Sequence, residues 1–267
     1  MIEVAALYVY PVKSCAGIRC EQATLDVRGL QHDRGWMVVD EHDEFVTQRE
    51  HPRLALVSPQ LDADILRLTT PEGHTLAIPT AGVTGLTRQV RVWHEMCEAV
   101  DQGNEAAQFF SDWLGEAVRL VKMADNCERQ VNPSYAQTPV VTGFSDGFPL
   151  LLISEASLDD LNARLDTPLP MNRFRPNLVV KGCNRFAEDG WHQLKIGNIV
   201  FHVAKPCDRC AVTTIDQTTG ARGVEPLRTL ATYRRDGAKV FFGQNIMHRS
   251  TGTIAVGTHL EVVADKR

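Results

Sequence analysis

The sharpest chemical motif in the chain is a pair of cysteines separated by two residues. Cys207 and Cys210 lie in the segment Pro-Cys-Asp-Arg-Cys-Ala-Val-Thr-Thr, directly after a predicted strand. Cysteine thiolates bind soft metal ions, hold zinc in sets of four ligands, and react in redox pairs. The motif therefore indicates a metal site, a redox site or a pair of structural thiols.

Two of these interpretations find little support elsewhere in the sequence. A structural zinc site needs further ligands, but the sequence has no second Cys-x-x-Cys and no His-x-x-x-His pair, and Cys15 and Cys20 are spaced too loosely. A thioredoxin-like pair should open a helix, whereas the β-branched residues 211–215 predict a strand. Two buried structural thiols and a thiolate bound to a soft metal remain as alternatives.

Three loops carry cationic side chains that can bind an anion. Lys13 and Ser14 lie in a loop bounded by proline and glycine, which lacks the glycine spacing of a nucleotide P-loop. Residues 172–177 combine two arginines with two asparagines before a predicted strand, and Arg34 follows an aspartate. Taken singly, each pattern is equally typical of a surface turn, a solvated loop or a weak salt bridge.

Composition limits the classes of partner and compartment. The 267 residues carry a net charge of -5, which argues against a nucleic-acid partner but allows a local basic pocket. No apolar run approaches the length of about 20 residues that a membrane span requires, so no membrane partner is expected. Glu3 lies where an export signal would need positive charge, and seven cysteines do not form a dense, even disulfide framework. We expect a cytoplasmic protein.

The first half of the chain is rich in short β-patterns. They cover residues 4–9, 36–40, 54–58, 65–69 and 89–93, and turn residues separate them. A helix is predicted at residues 104–114, with Asn104 as its cap. This half is expected to form a barrel or a sandwich that a small helix closes.

The second half again reads as mainly β. Ser154 should cap a helix that ends before Pro168, and the dipeptide Gly197-Asn198 predicts a hairpin turn. Further strands are predicted at residues 177–181, 193–196, 199–204, 240–242, 253–256 and 260–263, and a short helix at 226–233. The polar residues 125–139 are the expected seam, which predicts domains at residues 1–122 and 123–267.

Five segments taken in order resemble the MOSC family, in particular its amidoxime-reducing members. They are Tyr-Pro-Val-Lys-Ser at residues 10–14, Asp-Arg at 33–34, Ser-Glu-Ala-Ser-Leu at 154–158, Phe-Arg-Pro-Asn at 174–177, and Cys-x-Arg-Cys-x-x-Thr-Thr at 207–214. The resemblance spans nearly the whole chain. It implies a mainly β (α+β) fold, in which a MOSC β-barrel with flanking helices follows an N-terminal MOSC-associated β-region.

The resemblance also implies one molybdenum bound to molybdopterin. Cys210 would be the metal ligand and the catalytic residue, with Cys207 only its neighbour. The residues implied to bind the cofactor are Lys13, Ser14, Arg34, Asp146, Gly147, Arg175, Asn177, Asp208, Arg209 and Asn245. Asn245 departs from the family pattern, because the Phe-Gly-Gln-Tyr segment of the family reads Phe-Gly-Gln-Asn at residues 242–245.

The activity that the resemblance implies is an oxidoreduction. Reduced molybdenum would remove oxygen from N-hydroxylated compounds such as amidoximes, hydroxylamines and N-hydroxylated base analogues, which leaves amines or amidines and water. The sequence to Arg267 shows no iron–sulfur or flavin motif, so a ferredoxin- or flavodoxin-like protein, or an iron–sulfur or flavin reductase, is expected as the electron donor. The alternatives are a carrier of persulfide sulfur or of the molybdenum cofactor that uses Cys210, and a scaffold without a cofactor.

Overall fold

The computed structural model describes residues 1–82, 85–136 and 138–266, and these residues are mostly β. The strands are β1 (Glu3–Val9), β2 (Ile18–Cys20), β3 (Gln22–Asp26), β4 (Gly29–Leu30), β5 (Trp36–Val39), β6 (Ser58–Asp62), β7 (Ile65–Thr69), β8 (Thr75–Pro79), β9 (Thr87–Val92), β10 (Glu95–Asp101), β11 (Arg119–Met123), β12 (Leu150–Ser154), β13 (Leu178–Lys181), β14 (Trp191–Ile196), β15 (Ile199–Asp208), β16 (Arg235–Asp236), β17 (Lys239–His248), β18 (Gly252–Ala255) and β19 (Leu260–Asp265). The α-helices are α1 (Asn104–Leu114), α2 (Glu155–Asn162) and α3 (Leu227–Leu230).

A nine-stranded sheet forms the centre of the molecule. Its strands run in the order β19-β14-β15-β17-β12-β13-β1-β2, and β16 pairs with β17. β1 lies antiparallel to β13, with Leu7 opposite Leu178, so the first strand of the chain completes a sheet built mainly by the second half. Apolar side chains from both halves form one core on this sheet, and they include Leu7, Leu152 and Phe201.

Smaller sheets build the remaining first half. β5, β11, β10 and β9 form one sheet, β6, β7 and β8 form another, and β18 joins β3 and β4 in a third. Phe110 and Trp113 on α1 pack with Trp36 and Leu66 in a second core, which couples the helix to two of these sheets. The mainly β, α+β class is confirmed, but within the described residues the strand orders are open, so the expected closed barrel is not found.

Two local predictions, the cap of α2 and the turn after β14, are confirmed. The Ser154 hydroxyl accepts a hydrogen bond from the Ser157 backbone N–H at the start of α2, as a capping serine should. Gly197 and Asn198 join β14 to β15 as the predicted hairpin turn. Across the described residues, no helix has the length and apolar character needed to cross a membrane.

Four local predictions are wrong. Residues 54–58 are not a strand, because Pro52 begins a 3-10 helix, Pro52–Leu56, and β6 starts only at Ser58. Gly103, at a φ of 89°, precedes α1 in place of the expected Asn104 cap. The predicted helix at 226–233 is too long, because only the single turn of α3, which follows Pro226, is α-helical.

The fourth wrong prediction concerns the segment after Cys210. Residues 211–215 were expected to form a strand, but Ala211–Thr214 is a 3-10 helix. The hydroxyl of Thr213 donates to the Cys210 carbonyl and that of Thr214 to the Ala211 carbonyl. These local side-chain bonds satisfy the carbonyls of a tight turn and outweigh the strand preference of threonine.

Candidate functional site

One cavity of about 280 Å³ collects every residue that the sequence singled out for cofactor or metal binding. It lies where the loops after β1, β5 and β15 meet β12 and the residues before β13. The predicted residues on its wall are Lys13, Ser14, Arg34, Asp146, Gly147, Arg175, Asn177, Asp208, Arg209, Cys210 and Asn245. Their proximity is a finding of the structure, whereas their roles in binding stay predictions.

The two cysteines of the motif have different surroundings. Cys210 directly precedes the 3-10 helix Ala211–Thr214, and its side chain is exposed on the cavity wall. Cys207 is half-buried, and Arg209 donates a hydrogen bond to its sulfur at 3.0 Å. Among the described residues no cluster of three or more His, Cys, Asp or Glu is placed to hold a metal, which disfavours a zinc site.

The loop that carries Lys13 is fixed by backbone bonds to β5. The Lys13 N–H donates to the Trp36 carbonyl at 2.8 Å, and Ser14 takes a left-handed conformation at a φ of 70°. The buried Lys13 ammonium donates to the Phe144 carbonyl at 2.8 Å and to Asp146 at 2.6 Å. Burial lowers the pKa of Lys13, and the carboxylate of Asp146 opposes this effect.

Arg34 and Arg175 form the floor of the cavity beside the Tyr10 ring. Their guanidinium carbons lie 4.3 Å and 4.4 Å from the ring centroid, and both residues have left-handed backbones, with φ values of 47° and 54°. Burial, and next the nearby Arg34, lower the pKa of Arg175 to about 10, so Arg175 remains a cation at neutral pH. A Cβ at Gly17 would overlap the Tyr10 ring, so glycine there keeps the ring in place.

The side chain of Asn177 uses its hydrogen bonds within the protein, where it links Arg34, β12 and β1. Its Oδ1 accepts from Arg34 at 3.0 Å and from the Leu151 N–H at 3.2 Å, and its Nδ2 donates to the Tyr8 carbonyl at 3.2 Å. Asn177 therefore orients Arg34 and ties β12 to β1 at the cavity. Its contacts support a positioning role.

The charge on the cavity wall differs from that of the whole chain. Six cationic side chains line it, namely Lys13, Arg34, Arg49, Arg175, Lys205 and Arg209, against two carboxylates, Asp146 and Asp208. A wall of this kind in a chain of net charge -5 suits an anionic group such as a phosphate. An exposed thiol on the same wall adds one soft-metal ligand.

Arg49, Lys205 and Thr47 also line the cavity, and the sequence did not single them out. The Arg49 guanidinium approaches the Cys210 sulfur to 3.8 Å from a loop 161 residues earlier in the chain. A polar run at residues 47–50 was the weak signal for Arg49. Lys205 stands within a strand and belongs to no motif.

Comparison with known proteins shows the family to which the chain belongs. The model of the MOSC N-terminal beta barrel domain matches residues 1–117, and the model of the MOSC domain matches residues 140–261. The predicted boundary at residue 122 falls between the two matches and stays a prediction.

Curated relatives agree with the domain matches. Mitochondrial amidoxime-reducing component 1 of Mus musculus is 37% identical over 273 residues, which cover 95% of this chain and 80% of that protein. The Homo sapiens component 1 is 36% identical over 273 residues, covering 95% of this chain and 81% of that protein. Mitochondrial amidoxime reducing component 2 of Bos taurus is 38% identical over 242 residues, which cover 86% of this chain and 72% of that protein. The chain therefore belongs to the MOSC family, together with these amidoxime-reducing components.

Proposed function

We propose that the protein is a molybdenum-cofactor-dependent oxidoreductase that reduces N-hydroxylated compounds to amines or amidines. The observation that carries the proposal is the exposed Cys210 thiol on a cavity wall with six cationic side chains. Relatives that are 31–38% identical and named amidoxime-reducing components support the class of substrate.

The described residues fit a molybdopterin better than a bare metal. A single thiolate cannot hold a metal tightly by itself, and no cluster of three metal-binding side chains occurs within the described parts of the chain, so the cofactor must supply the other ligands. When bound, the molybdenum–molybdopterin group would supply the two-electron chemistry that removes oxygen from nitrogen. Cys210 would be its protein ligand.

The cationic floor would hold the phosphate of that cofactor. Lys13 and Arg175 are buried and retain N–H groups beyond those used in their recorded bonds, which leaves donors for phosphate oxygens. Ser14 would add a hydroxyl, and Arg34 is aligned by Asn177. Asp146, Gly147, Asp208, Arg209 and Asn245 would complete the binding surface.

The proposal extends to the electron donor and the location. The cysteines of the sequence do not show iron–sulfur spacing, so we propose that a separate ferredoxin- or flavodoxin-like protein, or an iron–sulfur or flavin reductase, supplies the electrons. We also propose a cytoplasmic location, which fractionation of the native cells would test.

The experiment is reduction of benzamidoxime with an artificial electron donor. Protein made in a host that synthesises molybdopterin is compared with the same protein from a host blocked in that synthesis. The proposal predicts benzamidine formation only by the first preparation, and loss of that activity in Cys210→Ala. Equal turnover by both preparations would contradict it. Sulfane sulfur on Cys210 together with no turnover would favour the persulfide carrier.

A further inference from the structure

Two cationic side chains at the cavity wall rest on aromatic rings. The Arg49 guanidinium carbon lies 4.7 Å from the Trp93 ring centroid and 5.9 Å from that of Phe45. The Lys205 ammonium lies 5.1 Å from the Tyr135 centroid and 5.5 Å from that of Phe148. Such contacts hold a long cationic side chain in place without neutralising its charge.

One aromatic ring beside each of these cationic side chains is exposed to solvent. Trp93 is 40% exposed and Tyr135 is 41% exposed, and they are the two aromatic residues among the large hydrophobic side chains that the described residues leave exposed. Neither ring lines the cavity itself, but Trp93 contacts Arg49, and Tyr135 contacts Lys205 and Phe148, which do line it. Exposed aromatic surface of this kind marks a place where a flat ligand can pack.

The backbone and side-chain contacts hold Trp93 in place. Trp93 has a left-handed backbone, with a φ of 58°, and its indole N–H donates to Asp146 at 3.2 Å. Asp146 is the partner of Lys13, so the Trp93 ring is tied to the cationic floor of the cavity. The positive φ belongs to the two-residue turn that joins β9 to β10, so the hairpin fixes the position of this residue.

The cations of the cavity wall differ in whether they form ion pairs. Lys13 pairs with Asp146 and Arg34 pairs with Asp33, each at 2.6 Å, whereas Arg175 and Arg209 have no ion pair among the described residues. Arg49 lies 4.0 Å from Glu50 and close enough to Asp146 to help lower the pKa of that carboxyl, and Lys205 has no ion pair among the described residues. Asp208, the other carboxylate of the wall, lies 4.0 Å from Lys239. Arg49 and Lys205 therefore lack a close ion pair among the described residues and can contact an anionic ligand.

We infer that Arg49 and Lys205, with Trp93 and Tyr135, form a substrate subsite that favours flat, negatively charged N-hydroxylated compounds over neutral or cationic ones. This inference rests on the proposed function, and it deepens it by assigning a charge and shape preference. A planar ring would pack on the exposed aromatic surface, and its anionic substituent would meet the two cations. The subsite adjoins the thiol, because a terminal nitrogen of Arg49 lies 3.8 Å from the Cys210 sulfur.

Three matched probes test the subsite: benzamidoxime, its 4-carboxylate, and a derivative with a 4-trimethylammonium group. Calorimetry measures the binding of each probe, and steady-state assays measure kcat/KM, with protein from a molybdopterin-producing host. The wild type should prefer the carboxylate over the cationic probe by about tenfold in both measurements, as expected for two partly exposed charge contacts. The double variant Arg49→Gln with Lys205→Gln should bring that ratio close to one.

A matched double variant controls for the change in net charge. Arg67→Gln with Lys195→Gln removes two cations from β7 and β14, away from the cavity, and should keep the wild-type ratio. An unchanged ratio in the Arg49 and Lys205 variant would overturn the subsite, as would loss of molybdopterin from it, since the two cations would then hold the cofactor. If no probe is turned over, the proposed function fails, while the calorimetric ratio still decides the subsite.

Discussion

Arg209 donates a hydrogen bond to the sulfur of Cys207 at 3.0 Å, and its other terminal nitrogen donates to the Phe174 carbonyl at 2.7 Å. The sulfur of the first cysteine in the motif therefore accepts a hydrogen bond from a side chain two residues further along the chain. Cys210, the second, is exposed on the cavity wall. Two thiols separated by two residues thus have distinct surroundings, which predicts distinct consequences of their removal.

Cys207→Ala should retain most of the reductase activity, whereas Cys210→Ala should abolish it. The physical reason is that Cys210 is exposed on the cavity wall, whereas Cys207, which lines the same cavity, is half-buried and its sulfur accepts a hydrogen bond from Arg209. Single-turnover and steady-state assays on both variants, with folding checked by circular dichroism, would measure this difference. Equal loss of activity in the two variants would indicate a dithiol site instead.

The side-chain amides of Gln48 and Gln217 bond to each other, and this pair should stabilise the cavity. The buried Gln48 donates to the Ser14 carbonyl at 2.6 Å, and Gln217 donates to Gln48 at 3.1 Å, which joins the Arg49 loop to the segment after Cys210. Gln48→Met leaves buried acceptors unpaired, so we expect a loss of about 1–3 kcal/mol in the free energy of unfolding. Urea denaturation would measure it.

The control for this variant is the same substitution on the protein surface. Gln108→Met lies on the exposed face of α1 and should change the free energy of unfolding by less than about 0.5 kcal/mol. A Gln48→Met protein as stable as the Gln108→Met protein would show that the amide pair contributes nothing measurable.

Local patterns predicted much of the fold and the members of the site. Alternating apolar residues marked β7, the Gly197-Asn198 turn marked a hairpin, and Ser154 marked the start of α2. The eleven predicted site residues line one cavity because the fold brings together the loops and strands that carry them.

The remaining features depend on contacts between distant parts of the chain. Arg49 reaches Cys210 across 161 residues, and no local pattern reports such a contact. The pairing of β1 with β13 likewise joins residues that are distant in the sequence, since Leu7 lies opposite Leu178. Threonine hydroxyls bonded within the turn converted the expected strand after Cys210 into a 3-10 helix. Whether these threonines form a strand or a turn depends on the position of the carbonyls that their hydroxyls can reach.

Asp101 should contribute stability that depends on pH. Burial would raise its pKa, but hydrogen bonds from Arg119, the Gly103 N–H and Arg88 prevail and lower it from 3.8 to about 2. A carboxylate whose pKa is depressed in the folded state stabilises the protein above its ordinary pKa, and this contribution is lost as the pH falls toward about 2. Asp101→Asn should therefore cost about 2 kcal/mol at neutral pH.

Urea denaturation of the wild type and Asp101→Asn across a pH series would measure this dependence. The difference between the two proteins should be constant near neutral pH and shrink below pH 3.8. Asp236→Asn, on the exposed strand β16, is the matched control and should show no such difference. A difference between wild type and Asp101→Asn that stays constant down to pH 2 would contradict the assignment.

Alkylation should distinguish the buried Cys15 from the exposed Cys210. Burial raises the pKa of the Cys15 thiol to about 12, and its side chain has no exposed surface, whereas Cys210 is exposed. In protein made without molybdopterin, iodoacetamide at pH 8 should modify Cys210 and leave Cys15 unmodified until the chain unfolds. Peptide mass spectrometry over time would follow both sites, and early modification of Cys15 would contradict its buried position.

The central claim is that Cys210 holds a molybdenum cofactor in this cavity. Its most direct test is the molybdenum and molybdopterin content of wild type, Cys210→Ala and Cys207→Ala purified from a host that synthesises the cofactor. The account predicts near-stoichiometric molybdenum in the wild type and in Cys207→Ala, and a large loss in Cys210→Ala. A wild-type protein without molybdenum under these conditions, or a Cys210→Ala protein that keeps its full content, would contradict it.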